Sequence, residues 1–113
     1  MKVGQILLLV IGLLLLAVTS SKGQVSVIHF NSDWNSDNNF NISTLKDCET
    51  KNITICDYPE LQDKHNIVSV PTIIVFDEGE EVKRFQANIM MKLTCELKDI
   101  QKVINKLYLK RFE

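Results

Sequence analysis

The stretch Val70-Pro71-Thr72-Ile73-Ile74-Val75-Phe76 is the part of the sequence that decides the fold. After the proline comes an unbroken run of β-branched, aliphatic and aromatic residues, which predicts a strand. The turn residues Asp77-Glu78-Gly79-Glu80 follow at once, and residues 81–87 then alternate between polar and apolar side chains. The two strands are therefore predicted to pair as a β-hairpin.

The rest of the chain supplies two more strands and three helices. Residues 25–30 are β-branched and mostly apolar, which predicts a buried strand, and residues 52–56 predict a second one. Helices are predicted at residues 39–49, from Pro59 to a left-handed cap at Asn66, and after a Thr94 cap. The last helix presents one apolar stripe, formed by Leu97, Ile100, Ile104 and Leu107. The order β-α-β-α-β-β-α predicts an α/β fold, a four-stranded mixed sheet with helices on its faces.

The composition describes one small domain of near-neutral charge. The 113 residues are 45% apolar and 24% charged, and the formal net charge is −1. These values exclude a multidomain enzyme, a low-complexity chain and a disordered charged tail. They also give no sign of the clustered basic surface that nucleic-acid binding needs. We therefore expect one modest core, one site and no nucleic-acid partner.

The first 23 residues are predicted to be an export signal and not part of the core. Met1-Lys2 gives a positive start, residues 6–18 form an uncharged apolar run, and small residues follow at positions 19–21. As a helix this run spans about 20 Å, against roughly 30 Å of bilayer hydrocarbon. The expected division is a signal peptide at 1–23 and a secreted or periplasmic domain at 24–113. An uncleaved N-terminal anchor, with the domain on the non-cytosolic side of a membrane, stays open.

Residues 57–76 and the turn after them resemble the segment of thioredoxins that carries their cis-proline. The residues that carry the resemblance run from Asp57-Tyr58-Pro59-Glu60-Leu61 through Val70-Pro71-Thr72 to Gly79-Glu80. In addition, Ser32-Asp33-Trp34 stands where that family has its active-site tryptophan. The resemblance covers nearly all of residues 24–113 but lacks the family's extra N-terminal strand and helix. It implies a minimal thioredoxin-like fold with a cis-proline at Pro71.

The catalytic motif of the thioredoxin family is missing from this sequence. Trp34 is followed by Asn35-Ser36-Asp37-Asn38, so that Asn35 and Asn38 stand where the family has the two thiols of Cys-x-x-Cys. An amide can neither attack a disulfide nor form a mixed one. His29 aligns with the family's buried acid, but it has no thiol to deprotonate. The resemblance therefore implies a redox-inactive domain.

Peptide binding is the function that the remaining features favour. The backbone before a cis-proline can leave its N–H and C=O groups free to pair with an extended peptide, as this fold does with substrates. Trp34 beside it would offer an exposed aromatic contact. From Trp34, Val70 and Pro71 we expect a domain that binds a polypeptide or a partner protein. A structural or assembly factor held at the membrane by an uncleaved N-terminus is a further class.

Three cysteines leave an enzymatic alternative open. Cys48 and Cys56 are the closest in sequence and are candidates for a disulfide, which would leave Cys95 free. Cys95 follows the predicted Thr94 cap, and a place in the first turn of a helix can lower a thiol pKa. The alternative function is therefore a thiol-disulfide oxidoreductase or isomerase that uses one non-standard cysteine, with Cys95 as the candidate.

The remaining polar motifs predict neither a metal site nor a cofactor. Residues 33–38 imitate the start of a calcium loop, but the sixth and twelfth positions are Asn38 and Thr44 in place of Gly and Glu. No Cys/His pair has zinc spacing. Two sequons, Asn41-Ile42-Ser43 and Asn52-Ile53-Thr54, matter if the source glycosylates exported proteins. The position of Asn52 at the start of a predicted strand makes its use less favoured.

Overall fold

The computed structural model describes residues 24–111, and the predicted signal segment lies outside them. This part of the chain contains four strands, two α-helices and two short 3-10 helices. In chain order they are β1 (Val25–Asn31), a first 3-10 helix (Asp33–Asn38), β2 (Glu49–Thr54), a second 3-10 helix (Ile55–Asp57), α1 (Pro59–Lys64), β3 (Thr72–Asp77), β4 (Glu80–Gln86) and α2 (Leu97–Lys110). Among these residues, no helix is both long and apolar enough to cross a membrane.

The four strands form one mixed sheet in the order β2-β1-β3-β4. β1 runs parallel to β2 and antiparallel to β3, with Val27 opposite Val75. β3 and β4 form the predicted hairpin, and the turn between them ends at Gly79, whose φ of +87° suits a residue without a Cβ. The predicted four-stranded mixed sheet of an α/β fold is therefore confirmed.

The predicted helix at residues 39–49 is wrong. The connection between β1 and β2 contains only the 3-10 helix Asp33–Asn38, and residues 39–48 are irregular. Short polar side chains explain the difference, because they bond to nearby backbone in place of a continuing helix. Asn41 Oδ1 accepts from the Ser43 N–H at 2.9 Å, and Asp47 has a left-handed φ of +64°. The first helix of the predicted order is thus a 3-10 helix.

The starts and ends of the two α-helices show which local sequence signals determine the helix boundaries. α1 begins at Pro59, as predicted, and Asn66 beyond its end has a left-handed φ of +51°. α2 begins later than predicted, because its N-cap is Glu96 and not Thr94. The Glu96 N–H donates to Asp99 Oδ2 at 2.8 Å, and the Asp99 N–H donates to the Glu96 backbone carbonyl at 2.9 Å, so the first turn is closed. Cys95 therefore lies before the helix and gains nothing from its N-terminus.

Each face of the sheet carries its own apolar core. On one side, called here the α2 face, the strands pack against residues of α2 and of the irregular segment: Val25, Val27, Ile73 and Val75 meet Ile100, Ile104, Ile42 and Leu45. On the other side, the α1 face, the buried residues are Phe30, Ile74, Phe76, Ile55, Ile67 and Val70. Because side chains alternate along a strand, β3 contributes to both cores.

Candidate functional site

A groove of about 290 Å³ opens at the end of β1, beside the α1 face. Its walls come from residues 67–70, from the two 3-10 helices through Trp34 and Cys56, and from Met91 in the connection between β4 and α2. We call this feature the Trp34 groove. It brings together Trp34 and Val70, two of the three residues that the sequence predicted for peptide binding.

The rim of the Trp34 groove leaves large apolar side chains in water. Trp34 is 67% exposed and Val68 is 81% exposed. Ile89 and Met90, the neighbours of Met91 in the chain, are also largely exposed. Single exposed apolar residues are ordinary on a protein surface, whereas Trp34 and Val68 line one concave site and make it a candidate binding site.

The segment from Ser69 to Thr72 holds the groove in a fixed shape. Val70 is buried, Pro71 is fully buried, and the peptide bond between them is cis. Thr72 Oγ1 donates to the Ser69 carbonyl at 2.7 Å, and the Ala87 N–H donates to the Pro71 carbonyl at 3.1 Å. Pro71 does not line the groove, so a ligand in it would touch Val70 and not the proline.

Asn35, which the sequence resemblance aligns with the first cysteine of Cys-x-x-Cys, joins three segments by hydrogen bonds. Its buried Nδ2 lies 3.2 Å from the Val70 carbonyl, 3.2 Å from the Met91 carbonyl and 3.2 Å from Asn31 Oδ1. An amide nitrogen has two hydrogens, so the three acceptors share them. The side chain thus connects the first 3-10 helix to both the loop before Pro71 and the loop before α2.

Three further asparagines complete this arrangement, which we call the asparagine network. Asn38, in place of the second family thiol, donates from Nδ2 to Asn35 Oδ1 at 2.8 Å. Asn31 Nδ2 donates to the Asn35 backbone carbonyl at 3.0 Å and also to Asn39 Oδ1. Asp33 and Asp37, the acidic members of the calcium-like stretch, are exposed to solvent, whereas Asn35 is buried. These three side chains therefore do not form one set of ligands.

The backbone beside the groove offers unpaired donors. The Val70 carbonyl already accepts from Asn35, and the Ser69 carbonyl accepts from Thr72. Within residues 24–111, the N–H groups of Val68, Ser69 and Val70 have no hydrogen-bond partner. A ligand that satisfies them must bring acceptors, such as the carbonyl groups of an extended chain.

The three cysteines are free thiols in three different surroundings. Cys48 is half-buried, and burial together with the Asp47 carboxylate raises the pKa of its thiol. Cys95 is also half-buried, and burial together with the Asp99 carboxylate raises the pKa of its thiol. Because the thiolate is the nucleophile, the predicted activation of Cys95 at a helix N-terminus is wrong.

The predicted disulfide between Cys48 and Cys56 does not fit the fold. Cys48 directly precedes β2 and Cys56 follows it, so a six-residue strand, about 17 Å long, separates them. A disulfide needs Cα atoms closer than about 7 Å. Cys56 lies exposed in the second 3-10 helix, where it lines the Trp34 groove.

His29, aligned with the family's buried acid, lies at a second and more polar cavity. Its Nε2 accepts from the Phe40 N–H at 3.2 Å. Burial lowers the pKa of His29, and a side-chain hydrogen bond with Asn52 opposes that shift in part. The cavity measures about 290 Å³ and shares no lining residue with the Trp34 groove. We call it the amide pocket after its asparagines, Asn31, Asn39, Asn41 and Asn52.

Sequence reasoning missed three residues of the groove region. Asn31 ends β1 and carries no motif that separates it from the other asparagines nearby. Met91 reaches the groove from the connection before α2. Its left-handed φ of +61° was not predictable, because such an angle is expected at glycine or asparagine and not at methionine. Cys56 was expected at a strand end, whereas it lies in a short helix that turns it toward Trp34. These placements depend on tertiary contacts and not on local patterns.

Comparison with solved structures shows a thioredoxin-like fold. A mutant thioredoxin from Halobacterium salinarum NRC-1 is similar with a TM-score of 0.64 and 19% identity, over 78% of each chain. Thioredoxin 1 from Thermosipho africanus TCF52B gives 0.60 and 18%, over 78% of this chain and 99% of that one. Fasciola hepatica thioredoxin gives 0.56 and 16%, over 79% and 86%. No protein-family model and no curated protein matches the chain. The predicted fold resemblance is confirmed.

Proposed function

We propose that the chain is an exported thioredoxin-like domain that binds an extended polypeptide segment in the Trp34 groove without dithiol chemistry. The observation that carries this proposal is the asparagine network. At the first thiol position, Asn35 uses its amide to hold the two loops of the groove together. The family's reactive centre is thus replaced by a structural one, while the concave apolar site next to it stays open.

An extended peptide is the occupant that fits the groove. Its backbone carbonyls would accept from the unpaired N–H groups of Ser69 and Val70, while an apolar side chain would enter between Trp34 and Val68. A cavity of about 290 Å³ is at the small end of ligand sites. It therefore suits one anchoring side chain better than a large rigid cofactor.

The charge around the groove favours a basic peptide. The residues that line the groove are uncharged. Asp33 precedes Trp34, Asp37 follows in the same 3-10 helix, and Asp57 follows Cys56, and all three are exposed. Against them stands the exposed Lys92, which follows Met91, so the charge near the groove is acidic on balance. Complementary charge at the rim of a site selects partners and speeds their arrival. We therefore expect the preferred segment to carry lysine or arginine beside a large apolar residue.

The emission of Trp34 tests this proposal directly, because Trp34 is the single tryptophan of the sequence. The probe is a tryptophan-free peptide of ten residues with a central leucine flanked by lysines. On titration we expect a saturable blue shift of the emission as the exposed indole becomes covered. Versions with a central serine, or with glutamates in place of the lysines, should bind at least about tenfold more weakly. Absence of a saturable shift with any of the peptides contradicts the proposal.

Two exposed valines provide a matched pair of variants. Val68→Asp places a carboxylate in the apolar groove and should abolish the shift, because an unpaired charge resists transfer from water. Val82→Asp makes the same change on β4, at a valine that is 44% exposed and outside the groove. It should leave the affinity unchanged. Equal losses in the two variants would show that the effect does not come from the groove.

The enzymatic alternative is tested with the same protein. Turnover in an insulin-reduction assay that is abolished by Cys95→Ser would replace peptide binding with thiol-disulfide exchange. The raised pKa of the Cys95 thiol leads us to expect no turnover. The same assay on Cys56→Ser tests the other candidate thiol, because Cys56 is the exposed cysteine at the groove.

Export is a separate part of the proposal and has its own test. N-terminal sequencing of the protein recovered outside the cytosol should show a start near residue 24. Recovery of an intact Met1 from a membrane fraction would favour the uncleaved anchor, and recovery only from the cytosol would contradict export.

A further inference from the structure

We propose that Asn41 is an N-glycosylation acceptor when the chain passes through a glycosylating secretory pathway, and that Asn52 is used far less. Both residues begin a sequon, and both border the amide pocket. Their sequence motifs are equivalent in kind, so the structure has to distinguish them. The inference depends on export but not on peptide binding.

The side chain of Asn41 is presented in a local turn. Its Oδ1 accepts from the Ser43 N–H at 2.9 Å and from Ser43 Oγ at 2.7 Å. Because both partners are donors, the atom they contact must be the amide oxygen. The amide nitrogen Nδ2, which receives the sugar, has no hydrogen-bond partner within residues 24–111. The sequon thus uses its hydroxyl to hold the acceptor amide while its nitrogen stays accessible.

The surroundings of Asn41 leave room for an attached sugar. Asn41 is exposed and lies in the irregular segment between β1 and β2, outside the helices and strands. The turn spans only three residues, so it can form in a nascent chain before the sheet exists. Ile42 between the two polar residues is buried on the α2 face, which turns its neighbours toward solvent.

Asn52 is exposed like Asn41, but its backbone setting is different. It lies in β2, with His29 as its partner residue on β1. The two residues line the amide pocket together, and the β-ladder fixes the backbone of Asn52 in an extended form when the fold forms. No contact between Thr54 Oγ1 and the Asn52 amide accompanies the sequon within the described residues. A sequon held extended in a strand does not form the turn that presents the amide of Asn41.

The reaction is a transfer of an oligosaccharide from a lipid diphosphate donor. Asn41 Nδ2 attacks the anomeric carbon of the sugar, and a carbon–nitrogen bond forms. The bond between that carbon and the diphosphate oxygen breaks, and the lipid diphosphate leaves. The amide nitrogen loses one proton, which the departing lipid diphosphate takes up, so that the product is a neutral secondary amide.

Tryptic mapping can score the two sites separately in one sample. Cleavage after Lys46 and Lys51 puts Asn41 and Asn52 on different peptides. The full chain is expressed in a eukaryotic host that glycosylates exported proteins, and the product is treated with peptide N-glycosidase, which converts an occupied asparagine to aspartate. We expect conversion at Asn41 to be at least fivefold higher than at Asn52. Equal conversion, higher conversion at Asn52, or none at either site overturns the proposal.

Matched variants complete the test. Asn41→Gln and Ser43→Ala should each remove the glycan that shifts the intact mass, whereas Asn52→Gln and Thr54→Ala should leave it in place. Because the amide pocket and the Trp34 groove share no lining residue, the glycosylated protein should bind the leucine peptide as tightly as Asn41→Gln does. A mass shift that survives Asn41→Gln contradicts the assignment.

Discussion

The two faces of the sheet are covered very differently. The α2 face lies under a helix of 14 residues, and its core includes Ile100 and Ile104 of that helix, both fully buried. The α1 face lies under a helix of six residues, none of which is buried. Its core is completed by loop residues, among them Ile67 and Val70. One face is therefore closed by a regular element and the other by loops.

We expect this difference to separate stability from the proposed peptide binding. Helix packing fills the α2 face, whereas the short cover of the α1 face leaves space beside its loops, where the Trp34 groove opens. Asn35 of the asparagine network bonds to the carbonyls of Val70 and Met91, two residues that line the groove, and so joins its loops. We conclude that changes on the α2 face should act mainly on unfolding, and changes at the groove on both stability and binding.

The largest expected effect is on the α2 face. Ile104→Ala should lower the free energy of unfolding by about 3 kcal/mol, because it removes a fully buried side chain and leaves a cavity. Leu109→Ala, at an exposed position of the same helix, should cost less than about 0.5 kcal/mol. Urea denaturation measures both. Similar values for the two variants would show that α2 does not close a core.

The second-largest effect on stability is expected at the asparagine network. Asn35→Ala leaves the Val70 and Met91 carbonyls without their shared donor and should cost about 2 kcal/mol. It should also weaken binding of the leucine peptide, because the two groove loops are no longer tied together. Asn105→Ala, on the exposed surface of α2, is the control and should change neither quantity. An unchanged affinity in Asn35→Ala would limit the network to a structural role.

The sequence predicted those parts of the fold that short-range signals decide. The β3–β4 hairpin follows from an apolar run next to a turn, and α1 follows from Pro59 at its first position and Asn66 beyond its end. The error at α2 was also local. The sequence predicted the cap at Thr94, whereas the structure uses Glu96, because Asp99 accepts from the Glu96 N–H three residues before it.

The network and the groove could not be predicted in this way. Asn35 bonds to Val70 and Met91, which lie 35 and 56 positions further along the chain. The residues next to Asn35 in sequence therefore do not indicate its partners. The family resemblance located Asn35, Trp34 and Val70 in one region, because it supplied the long-range alignment. The resemblance did not predict that Asn35 would donate a hydrogen bond to the Val70 carbonyl, because the cysteine at that position in the family is only a weak donor.

The third prediction concerns the start of α2. Asp99→Ala removes the acceptor of the Glu96 N–H and should cost about 1 kcal/mol, or roughly 5 °C in Tm. Lys98→Ala breaks only an exposed ion pair with Glu96 and should have a much smaller effect. Thermal unfolding followed by circular dichroism distinguishes them. Equal Tm values for the two variants would contradict the capping role.

The smallest expected effect is a pH dependence shared by the two faces. His29 lies on the same side of β1 as Val25 and Val27, and burial lowers its pKa. His65 lies between the rings of Phe30 and Phe76, with centroids 5.5 Å away in each case. Burial, and then the charges of Lys64 and Arg84, lower the pKa of His65 against an opposing effect of Glu81.

The sign of this pH dependence follows from linkage. Both histidines take up a proton less readily in the folded chain than in the unfolded one, whose pKa is near 6.5. Stability is therefore complete above pH 6.5 and declines as the pH falls below it. His29 should contribute more, because protonation of its Nε2 also removes the acceptor for the Phe40 N–H. In urea titrations between pH 7.5 and 5, His29→Gln should flatten the slope more than His65→Gln, and the reverse order would show that the α1 face is the acid-sensitive one.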